Sequence, residues 1–154
     1  MWQMNSNDAS QTNADTAQTN ADNFLFGALS GIILGCFYRV YDRLGFGFLE
    51  SVYKNALARE LAKAGLAFER EVVIDVWYDG ERIGHFKADF LVEKKLILEV
   101  KASQVIVDAD RKQLLNYLSA SDIEVGLLLH FGPKAFHKRM VYSNSHKRRL
   151  RSSA

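Results

Sequence analysis

Cysteine occurs once in the 154 residues, at Cys36. A single thiol excludes an intrachain disulfide framework, a cysteine zinc knuckle and a cysteine-held iron–sulfur cluster. It fits a reducing, cytoplasmic setting. Its position in an apolar run marks it as a small buried hydrophobe rather than a reactive thiol. No Ser/His/Asp pattern and no phosphate-cradling glycine loop is present. His130, His137 and His146 have no metal-like spacing, and His85 reads as a surface or supporting residue. A long hydrophobic run is missing too. The most apolar stretch, 24–38 (FLFGALSGIILGCFY), has 15 residues. Spanning a bilayer takes about 20, and a signal peptide would carry a basic segment ahead of it. The expectation is a buried first helix and no membrane, although Gly27, Gly31 and Gly35 repeat at the spacing of close-packed membrane helices.

Charge of one sign is missing from each end. Residues 1–23 hold three aspartates and no Lys or Arg, while 134–154 hold seven Lys or Arg and no acid. The stretch 24–133 is left with thirteen basic against fifteen acidic residues. A basic end beside a near-neutral body suits a polyanion such as nucleic acid, and equally a solvated terminus. In the leader, Gln11-Thr12-Asn13-Ala14-Asp15 recurs as Gln18-Thr19-Asn20-Ala21-Asp22. So little of it is apolar that burial cannot offset the entropy of ordering. The expected division is a disordered leader at 1–23, one domain at 24–142, and a flexible basic tail at 143–154.

What is present points to an α/β fold. The apolar pattern of 24–38 continues through Val40, Tyr41 and Leu44 until Gly45-Phe46-Gly47 breaks the chain. Residues 48–64 are helical in period, with Leu49, Val52, Tyr53, Ala56, Leu57 and Leu61 on one face and Gly65 as the stop. Residues 68–78 and 81–92 read as strands joined at Asp79-Gly80, a strong hairpin signal. A charged tip, Glu93-Lys94-Lys95, leads to a third strand at 96–102. A helix fits 108–120, with Asp108 as its N-cap. Residues 123–131 read as a buried strand ended by Gly132-Pro133, and a short last strand fits 138–142. The order predicts a mixed β-sheet flanked by helices.

The hairpin around Lys94 carries the chemistry. With a three-residue loop at 93–95, Val92 faces Leu96, and the count puts Asp89 opposite Glu99 and Lys87 opposite Lys101. Alternation sets Asp89, Glu99 and Lys101 on one face, with Ala88, Phe90, Val92, Leu96, Leu98 and Val100 on the other. Two like charges about 4 Å apart repel by on the order of 4 kcal/mol at an effective dielectric near 20. A lysine can compensate, and so can a divalent cation, since paired carboxylates suit Mg²⁺. A plain solvated face is the competing reading, against which Leu96-Ile97-Leu98 looks buried on both sides.

Asp89 followed by Glu99-Val100-Lys101 resembles the signature of the PD-(D/E)XK nuclease superfamily. Gly47-Phe48-Leu49-Glu50-Ser51-Val52-Tyr53, with Leu44-Gly45-Phe46 before it, is similar to the signature of the GxxExxY protein family within that superfamily. Gln113-Leu114-Leu115-Asn116-Tyr117 resembles the Q-x-x-x-Y element of RecB-like exonucleases. The resemblance spans about 30–142, and Ala88 stands where the superfamily name suggests proline. It implies a restriction-endonuclease-like core and a nuclease using Mg²⁺ or Mn²⁺ on nucleic acid, DNA before RNA. It implies metal ligation by Asp89, Glu99, the Val100 carbonyl and Glu50. Lys101 then positions or deprotonates the attacking water, and Gln113 and Tyr117 contact water or substrate. Tyr53 is expected to pack beside Glu50, and Tyr117 has a core role as its alternative. A non-catalytic nucleic-acid-binding or protein-interaction module on the same fold is the alternative function. A homodimer or another protein partner is open as the means of holding a duplex.

Overall fold

The computed structural model describes residues 25–147. The expected leader at 1–23 and residues 148–154 of the basic tail lie outside them. The chain folds as α1 (Gly27–Leu44), α2 (Glu50–Lys63), β1 (Phe68–Tyr78), β2 (Glu81–Val92), β3 (Leu96–Lys101), α3 (Asp108–Ala120), β4 (Val125–Phe131) and β5 (Ala135–Val141). The five strands form one sheet in chain order. Among the described residues only β3 and β4 are parallel, joined by the crossover through α3, so the sheet is mixed as the element order predicted.

Helices α1 and α2 cover one face. Ile33, Phe37, Val40, Tyr53, Leu57 and Leu61 meet Phe90, Leu98, Val100, Leu127 and Leu129 there. Helix α3 covers the other, where Leu114, Tyr117 and Leu118 pack against Ile97 and Leu128. Both β3 and β4 are buried on both sides, which is why each reads as a continuous apolar run. Gly126 lets α3 approach closely, because a Cβ there would stand 2.7 Å from Leu114 Cδ1. Cys36 is fully buried, and burial pushes its thiol up. No helix among the described residues is long and apolar enough to cross a membrane. Gly27 and Gly31 face open space rather than a packed neighbour.

Several details differ from the sequence expectations. Leu49 precedes α2 and is 76% exposed instead of joining its buried face. Asp108 is the first residue of α3, and the N-terminal bond runs from Val107 N–H to Asp110 Oδ2 at 3.1 Å. The last strand starts earlier than expected, at Ala135, because Phe131 and Ala135 already pair across the turn. Residues 143–147 are tied down rather than free. Asn144 bonds to Glu124 and Asp122, and Lys147 donates to the carbonyls of Ser121 and Ile123.

The loop before α2 explains the Gly47…Glu50…Tyr53 pattern. Gly47 has φ +120°, which a side chain would strain. The buried Tyr53 ring stacks on Phe131, at 4.3 Å between centroids. Its hydroxyl donates to Gly45 O at 2.6 Å and accepts from Phe48 N–H at 3.2 Å. Tyr53 thus pins the loop to the core and fixes where α2, and Glu50 with it, begins. Tyr53→Phe keeps the ring but removes both bonds. We expect it to lower stability by about 1–2 kcal/mol, measured by urea unfolding. An unchanged midpoint contradicts the pinning role.

Candidate active site

The β2–β3 ladder contains the pairs Phe90↔Leu98, Leu91↔Ile97 and Val92↔Leu96, as the three-residue loop required. It stops one pair short of Asp89 and Glu99. At that point the Asp89 carboxylate substitutes for the ladder, its Oδ2 accepting from Val100 N–H at 2.7 Å. The β1–β2 ladder is interrupted at the same level, passing from Arg70↔Phe90 to Val72↔Ala88 without pairing Glu71 and Asp89. Glu71 has φ +53°, a left-handed conformation that is rare for glutamate and costs on the order of 1–3 kcal/mol. This break disturbs the regular alternation. Ala88 packs with Ile74, Ile97 and Tyr117, not with Phe90 and Val92 as simple counting required.

Asp89 and Glu99 are only 5% and 3% exposed. Glu99 Oε2 is buried without a hydrogen-bond partner. Burial, reinforced by the hydrogen bond and charge of Asp89, pushes the Glu99 carboxyl up to about 9; Lys101 and Tyr117 pull the other way. The Tyr117 hydroxyl donates to Lys87 O at 3.1 Å. It is raised above the usual tyrosine range by burial first and by Glu99 next, while Gln113 opposes the shift. Tyr117 is 1% exposed, so the core role holds for its ring, which packs on Phe86. Its hydroxyl, with Gln113 beside it, backs Glu99.

Lys101 is at the end of β3 with 22% of its side chain exposed, its Nζ 4.0 Å from Asp110 Oδ1. Glu50 opens α2 and meets the centre through Lys54, whose Nζ is 3.5 Å from Glu50, 3.6 Å from Glu71 and 2.6 Å from Asp89. Burial would lower the Lys54 pKa, but the bond to Asp89 and the three carboxylate charges outweigh it and hold it above the usual lysine range. Among the described residues, no three His, Cys, Asp or Glu side chains converge as a metal cage. Asp89 and Glu99 come together; Glu50 stands across Lys54 from them. Three residues of this charged cluster are absent from the sequence expectations. Lys54 was legible as the i+4 partner of Glu50 and Asp110 as an acid in the first turn of α3. Nothing in the sequence marked Glu71.

Two adjacent buried carboxylates, one with an orphaned oxygen, are a donor set that fits a divalent cation. His85 pairs with Asp75 along the β1–β2 hairpin. His130 is the register partner of Lys101 across β3 and β4, and its Nε2 is 2.7 Å from the Ser103 carbonyl.

The family model of the PD-(D/E)XK nuclease superfamily matches residues 28–141. No curated protein matches. The crystal structure of SSO0001 is similar in fold, with a TM-score of 0.51 at 19% identity. The likeness covers 61% of this chain and 50% of that one, so this chain spans half of that protein's length.

The raised Glu99 carboxyl predicts a pH dependence. Its folded value lies above its unfolded one, so the native state holds a proton that the unfolded state has released. Stability is then fully present below about pH 4.5 and is lost as pH rises toward about 9. The slope is at most about 1.4 kcal/mol per pH unit for one proton. Unfolding in EDTA between pH 5 and 9 measures it. Glu99→Gln should flatten the profile, and the same slope in that variant removes Glu99 as its source.

Proposed function

The chain belongs to the PD-(D/E)XK nuclease superfamily, and from that premise we propose that it is a metal-dependent nuclease cleaving phosphodiester bonds in nucleic acid, DNA in the first instance, and a member of the GxxExxY family. Members of the superfamily generally use divalent metal ions. The single observation that carries the reading is the orphaned Glu99 Oε2, buried beside Asp89 and two residues before Lys101. A structural carboxylate would be expected to have found a donor.

In this reading Asp89, Glu99, the Val100 carbonyl and Glu50 would hold Mg²⁺ or Mn²⁺. A bound ion supplies Lewis-acid charge that offsets the negative charge developing at phosphorus. The protein's own groups do the rest. Asp89 is aimed by its bond from Val100 N–H. Glu99 would have to be ionised to hold such an ion, since hard cations take the ionised carboxylate. Lys101, partly exposed at the strand end, orients the attacking water and donates to a phosphate oxygen. Gln113 orients water at the rim, and Tyr117 holds Glu99 from behind. The buried Cys36 suits a reducing, cytoplasmic setting, and a homodimer is one way for the chain to hold a duplex.

Labelled single-stranded and duplex DNA and RNA, incubated with Mg²⁺, Mn²⁺ or EDTA, test this. Cutting should require the metal. Asp89→Ala and Lys101→Ala should each lower the rate by on the order of 100-fold or more. If neither nucleic acid is cut, or both variants cut as fast as the parent, the nuclease reading fails. Salt-sensitive retardation of nucleic acid without cutting would instead indicate the binding module.

A further inference from the structure

Three carboxylates surround one ammonium group in this protein. Lys54 Nζ is 2.6 Å from Asp89 Oδ1, 3.5 Å from Glu50 Oε2 and 3.6 Å from Glu71 Oε1. Its side chain is only 16% exposed, and that of Asp89 only 7%, whereas those of Glu50 and Glu71 are 41% and 46% exposed. The contacts therefore run from a buried, short bond to longer ones facing solvent. This is not a helix-surface pair. An exposed lysine pairing with its i+4 glutamate would have no reason to bury its head against a third carboxylate on a strand.

Both oxygens of Asp89 are engaged, Oδ2 by Val100 N–H and Oδ1 by Lys54. A cation that takes Asp89 as a ligand would meet a positive charge already seated on Oδ1. Like charges that close repel strongly in a site with little water. The lysine has somewhere to go, because Glu71 already lies 3.6 Å from it on the solvent side. Glu71 is held there by a left-handed backbone at the break in the β1–β2 ladder. A strained conformation next to a cluster of charges is where re-aimed side chains are commonly found.

We propose that Lys54 is the resident counter-ion of this centre, holding Asp89 in the metal-free protein and moving onto Glu71 when a divalent cation takes Asp89. The centre is then filled by exchange of one cation for another, and Lys54 and Glu71 set how readily it fills. This rests on the assignment of Asp89 as a metal ligand. Lys54 acts through Asp89, so it is a positioning residue rather than a catalytic one.

The test uses the full chain with Mn²⁺ as the probe and reads binding, not cleavage. Mn²⁺ affinity is followed by the loss of free-ion paramagnetic resonance for the parent, Asp89→Asn and Lys54→Met. In parallel, reductive methylation of the parent with and without Mn²⁺ is read by peptide mass spectrometry, with the exposed Lys63 as internal reference. Lys54 should be protected relative to Lys63 without metal and become severalfold more reactive with it. Lys54→Met should bind Mn²⁺ about tenfold more tightly, since a charged hydrogen bond no longer has to be broken. If Mn²⁺ binds through Asp89 while Lys54 reactivity is unchanged, the exchange is overturned and the nuclease reading stands. A tighter Lys54→Met does not rescue it then, because removing any nearby positive charge does as much. The labelling decides the matter even if Lys54→Met fails to fold. If the parent binds no Mn²⁺, or Asp89→Asn binds it equally well, the metal assignment and the exchange fall together.

Discussion

The Asp89 carboxylate ties three elements of the protein together. One oxygen accepts from the Val100 backbone on β3, the other from Lys54 on α2, and the residue itself belongs to β2. It takes over where the regular β2–β3 ladder ends. A side chain thus continues what backbone pairing leaves off, and the strand ends separate around it. Glu99 next to it is then sealed under α3, with the Tyr117 hydroxyl behind and no donor for Oε2. The fold arranges a pair of acids that it does not itself neutralise fully.

That incomplete neutralisation shapes the neighbourhood. Lys54 compensates Asp89, and burial beside Asp89 favours the protonated form of Glu99. On the proposed function, the ammonium and the proton each stand where a bound cation would bring positive charge. The larger core under α1 and α2 supplies the rigidity. Tyr53 anchors the loop before α2 in that core, which sets the position from which Glu50 and Lys54 extend.

Much of this was legible in the sequence because it rests on local rules. Asp79-Gly80 supplies two consecutive residues with positive φ, and the hairpin closes there. Leu96-Ile97-Leu98 is apolar on both faces, and β3 is central and covered twice. The three-residue loop at 93–95 sets the register that brings Asp89 to the level of Glu99. The parts that were not legible depend on contacts between distant segments. Ala88 changes face because of a break in pairing centred on Glu71, a residue with no local signal for a left-handed conformation. Lys54 looks like one half of an ordinary helix pair until β2 brings Asp89 against it. Leu49 fits the helical period but precedes the helix, so its exposure follows from the loop and not from the pattern.

On the proposed function, Asp89 and Glu99 form a cation-binding centre. Anomalous diffraction from crystals of the protein soaked in Mn²⁺ tests it most directly. An anomalous peak is expected within ligand distance of both carboxylates and is expected to be lost in Asp89→Asn crystals. A peak elsewhere with these two carboxylates unliganded, or none in well-diffracting soaked crystals, would contradict it.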